Sequence, residues 1–301
     1  MKRRTVLVAA SLAVVASVAG VVAWRASPRK RTPVPKASIP DGASLLQTAH
    51  YRVHSTATPA QTREIAAAAE SLHAAYLSLF AGHVTPSTTP LTLVLYRDAD
   101  EFARNNRSRP WAEAYYLRPA CYAYYGSGKA NPYHWMLHEA THQLNTEVAG
   151  WQLPAWANEG VAGYLGASWM ENGALTPGRS DPDAYPIWWL SGMGLTGHLK
   201  TDIAAGRIVP LRQVLDGTGP DINRHVNLYY LHYWSLTHFL FHHQDGRYAA
   251  AYKQLLAHGA SISDFEHLIG PIESIEDAWY AHLVDAMKTM QRYDAEHGVE
   301  R

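Results

Sequence analysis

The chain has 301 residues, 47% of them apolar, which suits one large domain with its own core and excludes a disordered chain. Its single cysteine, Cys121, excludes a disulfide framework and a cysteine-rich zinc ribbon. The formal charge of zero divides unevenly: eight basic residues precede residue 37, and the remainder carries 18 basic against 26 acidic residues, a charge of −8 that argues against nucleic acid as a partner.

Lys2-Arg3-Arg4 is followed by about twenty uncharged residues, Thr5 to Trp24. As a helix these would span ~30 Å, the thickness of a hydrocarbon core. Residues 1–24 therefore read as a signal peptide or a membrane anchor, with Val18-Ala19-Gly20 as a small-residue cleavage site. The body is expected to be extracytoplasmic, in the periplasm or cell envelope, and tied to the membrane if the segment is uncleaved. Residues 25–42 hold Pro28, Pro33, Pro35 and Pro40 and read as a semi-extended linker.

Residues 43–301 read as one domain, an α+β half (43–150) followed by a mainly helical half (151–301). His50 to His54 is strand-like. Thr58 with Pro59 opens a helix running to about Leu79. Leu91 to Tyr96 is a second strand, and Asp98 to Glu101 resembles a capping box opening a short helix. Cys121 to Tyr125 is a third strand, placed equally well at a sheet edge or inside it. Two helices are expected between Ile187 and Leu215, loosened by Gly192, Gly194 and Gly197.

His138-Glu139-Ala140-Thr141-His142 lies in a helical pattern from Pro132 to Val148, with Asn131 as its N-cap. Histidines four apart project from one face, where they can hold one Zn²⁺ at ~2.0–2.1 Å. Glu139 is turned away from ligation but close enough to a bound water to take its proton. Met136, Ala140 and Leu144 form an apolar stripe facing the body. Alone, the pattern also fits a helix with two surface histidines. A third ligand would decide, and Trp156-Ala-Asn-Glu159-Gly-Val-Ala162 offers one.

This pair of motifs resembles the gluzincin metallopeptidases, the thermolysin-like and aminopeptidase-like group. The nearer likeness is to an uncharacterised bacterial family of gluzincin-like peptidases, over most of residues 45–285, including a helical stretch Tyr230 to Leu240. The resemblance implies a small mixed sheet with an edge strand ahead of the helical half, and one catalytic zinc. It implies His138, His142 and Glu159 as ligands, Glu139 as general base and a peptide or protein as substrate. It also implies a Tyr or His that steadies the oxyanion, with Tyr230 preferred over His232, Tyr233 and Tyr229. Sixteen residues separate His142 from Glu159, fewer than in the aminopeptidases. The Gly-x-Met-Glu-Asn motif of those enzymes is missing ahead of the zinc helix, and Met170-Glu171-Asn172 falls after it.

Other readings share these residues. One is a non-catalytic, zinc-stabilised binding module of the cell envelope, which has no need of Glu139; another is a zinc amidase acting on wall peptides. His134, one turn before His138, is expected on the rim, and Asn158 either orients a ligand or caps its helix. Trp188 and Trp189 are expected in the core rather than on the cleft wall, and Cys121 is expected to be a small buried residue.

Overall fold

Leu91-Thr-Leu-Val-Leu-Tyr96 is apolar at nearly every position, the composition of a strand covered on both faces, and it forms the middle of a sheet. The computed structural model describes residues 36–109, 112–127 and 131–300. The apolar segment 1–24, and the linker up to residue 35, lie outside the described residues. Strands β1 (Ser44–Gln47), β2 (Tyr51–Ser55), β3 (Leu91–Tyr96), β4 (Ala114–Leu117) and β5 (Ala120–Tyr124) form a mixed sheet in the order β1-β2-β3-β5-β4. The inner strands β2, β3 and β5 are parallel, and β1 and β4 run antiparallel at the edges.

Alternation along β3 divides the core. Leu91, Leu93 and Leu95 enter the main core, while Val94 and Tyr96 meet Phe102, Tyr115 and Tyr122 in a smaller cluster. Helix α1 (Pro59–Leu79) begins and ends where the sequence places it, with the Thr58 and Gln61 side chains each accepting from the other's backbone N–H. Asp98 caps α2 (Ala99–Asn105) through the Glu101 N–H.

The strand expected at Cys121 to Tyr125 pairs on both sides, with β3 and with β4, so it is internal. The edge is β4, whose four residues were not read as a strand. Cys121 is fully buried, and burial, followed by the charge of Glu139, pushes its thiol up.

The rest is mainly helical: α3 (His134–Gln143), α4 (Ala155–Gly166), α5 (Leu199–Ala204), α6 (Leu211–Asp216), α7 (Val226–His242), α8 (Ala249–Ala257), α9 (Ile262–Leu268) and α10 (Ile272–His297). A hairpin, β6 (Ser168–Glu171) and β7 (Ala174–Ser180), interrupts it. Its loop, Asn172-Gly173, has φ of 51° and 77°, the twist that a two-residue hairpin requires. Met170-Glu171-Asn172 therefore ends strand β6 and opens the hairpin turn. The segment 187–215 holds the two expected helices, α5 and α6, but they start only after two single 3₁₀ turns, Ile187–Trp189 and Ser191–Met193. Gly194 and Gly197, at φ 62° and 84°, break the chain between them.

Candidate metal centre

Helix α3 and the turn after it bury Met136, Ala140 and Leu144, the stripe expected from sequence, in the main core together with Leu137. It turns His138, Glu139 and His142 to a cleft of about 720 Å³. The helix is shorter than its sequence pattern: it begins at His134 and passes after Gln143 into a π turn, Leu144–Val148. Asn131 does not cap it by reaching N2 or N3; its Oδ1 accepts from Tyr133 N–H and its Nδ2 donates to Asp181.

Helix α4 reaches the site by close crossings at two glycines. A Cβ on Gly160 would fall 2.8 Å from the Tyr233 carbonyl oxygen of α7, and one on Gly166 would fall 3.0 Å from the His138 Cβ. Glu159, beside the first of these, thereby meets the two histidines. His138, Glu139 and His142 each bring one ligand atom within 4.8 Å of the others. The Nε2 atoms of His138 and His142 are 3.2 Å apart, and Glu159 Oε2 is 3.2 Å from the first and 3.4 Å from the second.

The electrostatics follow from this crowding. Burial disfavours a charged His142, but the Glu159 carboxylate outweighs it and lifts the imidazole to about 9. Burial likewise opposes a charged Glu159, and His142 foremost, with His138, holds it well below the usual carboxylate range. Glu139 is pushed up, mainly by burial.

Glu139 is held from the sheet. Tyr116 of β4 donates its backbone N–H to Glu139 Oε2 at 2.8 Å. The Tyr116 hydroxyl and the Arg118 guanidinium both bind Glu147 in the π turn, at 2.7 and 2.8 Å. The edge strand is thus fastened both to Glu139 of the motif and to the π turn that follows it, which the sequence reading missed.

Of the four oxyanion candidates, Tyr230 alone lines the cleft among the described residues. Its ring lies 6.1 Å from that of His138 at 27°. Burial, then the charges of Glu159 and Glu139, raise its phenol pKa. The Tyr229 hydroxyl donates to the Pro220 carbonyl, His232 Nε2 accepts from Val209 N–H, and Tyr233 is buried behind Tyr230.

Two neighbours differ from expectation, and a third decides between its two alternatives. His134 is buried rather than on the rim: its Nδ1 donates to the Gly166 carbonyl at 2.8 Å, and its Nε2 accepts from Tyr185 N–H at 3.2 Å. Asn158 caps nothing, since Pro154 is the N-cap of α4; it lies beside His142 and its Oδ1 accepts from Asn145, which in turn accepts from the Tyr76 hydroxyl. Trp188 and Trp189 line the cleft, and Trp189 is 46% exposed, so they form wall rather than core.

No protein-family model matches the chain, and no curated protein matches it in sequence. The resemblance to an HExxH zinc motif therefore stands on the cluster His138, Glu139 and His142.

Proposed function

We propose that this protein is a gluzincin-type metallopeptidase that holds one zinc ion through His138, His142 and Glu159. One observation carries the reading. The three donor atoms form a triangle with edges of 3.2, 3.2 and 3.4 Å. Ligands ~2.0–2.1 Å from a tetrahedral zinc are ~3.3–3.4 Å apart, so the triangle fits one face of such a shell. Two imidazole Nε2 atoms facing each other beside a half-buried carboxylate also suit a shared cation. Two nitrogens and one oxygen leave a fourth position open, the arrangement of a catalytic rather than a structural site.

Zinc bound there supplies a Lewis acid that polarises a carbonyl and activates water for attack at neutral pH. The protein's own groups do the rest. Glu139 keeps one carboxylate oxygen on Tyr116 N–H, leaving the other to take the proton of the attacking water and pass it to the leaving amine. Tyr230 donates its hydroxyl hydrogen to the oxygen on which negative charge grows, and because burial and nearby carboxylates raise its pKa, it keeps that hydrogen. The open edge of β4 provides backbone groups for an extended peptide.

Export by residues 1–24, to the periplasm or cell envelope, is part of the same proposal, as is membrane attachment where that segment stays on. No helix among the described residues is long and apolar enough to cross a membrane. The test is a broad peptide-library digest with the purified protein, with and without a chelator. Cleavage that stops with chelator and returns with zinc supports the reading; zinc bound without any cleavage supports a non-catalytic module instead.

A further inference from the structure

The metal chemistry leaves one side of the cleft unused. From β4 and the segment before it come backbone groups and the charged Arg109 and Glu113. From the start of α3, the segment 185–189 and α7 come Trp135, Tyr185, Trp188, Trp189 and Asn227, with no charged residue. Their rings are continuous with the metal site. Tyr230 stacks near His138, and Tyr185 lies 5.5 Å from Tyr230, 5.3 Å from Trp135 and 5.8 Å from Trp188.

This wall is built rigidly, with Tyr185 buried at its back and the tryptophan rings partly uncovered. His134 fixes Tyr185 from inside, because a ring whose Nδ1–H donates to the Gly166 carbonyl has Nε2 free to accept from Tyr185 N–H. The Tyr185 hydroxyl donates to Asn227 at 3.2 Å, and Asp181 ties the segment back through Asn131 Nδ2 and the Ala184 N–H. Trp188 is only half-buried, and Trp189 is 46% exposed. Large rings on a cleft wall beside a reaction site match an uncharged planar group.

We propose that Trp135, Tyr185 and Trp188 form a specificity subsite that takes an aromatic side chain of the substrate next to the scissile bond. The proposal rests on the peptidase reading and names its substrate class. A charged side chain against these rings would lose hydration that the rings do not replace. Ring-to-ring packing favours an aromatic over an aliphatic group of similar area by about two- to tenfold.

The test uses the zinc-loaded full chain and peptides that differ at one residue, Phe, Leu, Ala or Lys, placed on either side of the cleaved bond. It reads kcat/KM for the wild type, and equilibrium binding by calorimetry for Glu139→Gln. The expected result is a Phe-over-Leu preference approaching tenfold on one side of the bond, in both readouts. Trp188→Ala should narrow that ratio and Trp188→Phe should restore it. Chelator-sensitive cleavage that treats Leu or Lys as well as Phe, or a ratio untouched in Trp188→Ala, overturns the subsite and leaves the peptidase standing. Preferential binding of the Phe peptide without cleavage by the wild type overturns the peptidase and leaves the aromatic pocket. Neither cleavage nor preference overturns both.

Discussion

Gly166 lies against the backbone of His138: a Cβ added to Gly166 would stand 3.0 Å from the His138 Cβ and 3.1 Å from its Cα. The crossing of α4 on α3 thus depends on a missing side chain, and it sets how near Glu159 comes to the two histidines. Because the opposing atoms include backbone, the helices must move apart to admit a methyl group.

Gly166→Ala should therefore destabilise the protein by about 1–3 kcal/mol, the usual cost of overpacking a tight contact. It should also weaken zinc binding by roughly tenfold or more, since ligand position is lost. A melting curve and a competitive zinc titration read the two effects. A variant with normal zinc affinity would show that the crossing does not govern the ligand triangle.

Tyr230→Phe removes one hydroxyl and keeps the ring beside His138. If that hydroxyl meets the developing oxyanion, kcat should fall roughly 10²–10³-fold with little change in KM, as for the loss of one such donor. A fall confined to KM would assign Tyr230 to ground-state binding.

Acid should weaken the fold through buried neutral histidines. His232 is 0% exposed, and burial lowers its pKa to about 4, although the nearby Leu228 backbone opposes the shift. The unfolded chain takes up this proton near pH 6.5 and the folded chain only near 4. The stability tied to neutral His232 is thus complete above pH 6.5 and is lost as pH falls through 4, an effect of about 3 kcal/mol. His238 and His282, lowered by burial to about 3 and about 4, act in the same direction. Urea midpoints measured from pH 7.5 down to 4 should drop steadily, and His232→Gln should reduce the drop. A midpoint indifferent to pH in that range would contradict this.

Features specified by local chemistry were legible in the sequence. Thr58-Pro59 and Leu91 to Tyr96 coincide with the ends of α1 and β3 because capping and continuous apolarity act over a few residues. The His138, Glu139 and His142 constellation was legible because helical spacing alone puts the histidines on one face. Asn172-Gly173 carried a readable hairpin signal that went unused. By contrast, β4 has only four residues, and its pairing with β5 makes it a strand. Its hold on Glu139 through a backbone N–H has no sequence signature at all. Trp188 looks like core in sequence, because only tertiary placement separates an aromatic that packs inside from one that walls a cleft. His134 shares the face of His138 by spacing, yet the carbonyl of Gly166 and the N–H of Tyr185 claim its ring.

The most direct measurement compares wild type with Glu139→Gln for bound metal and for peptide hydrolysis in the same preparations. The expected result is one zinc per chain in both, with hydrolysis reduced at least ~10²-fold in Glu139→Gln, because the ligands survive and the base does not. Undiminished hydrolysis by Glu139→Gln, or no zinc retained by the wild type, would contradict a metallopeptidase built on His138, His142 and Glu159.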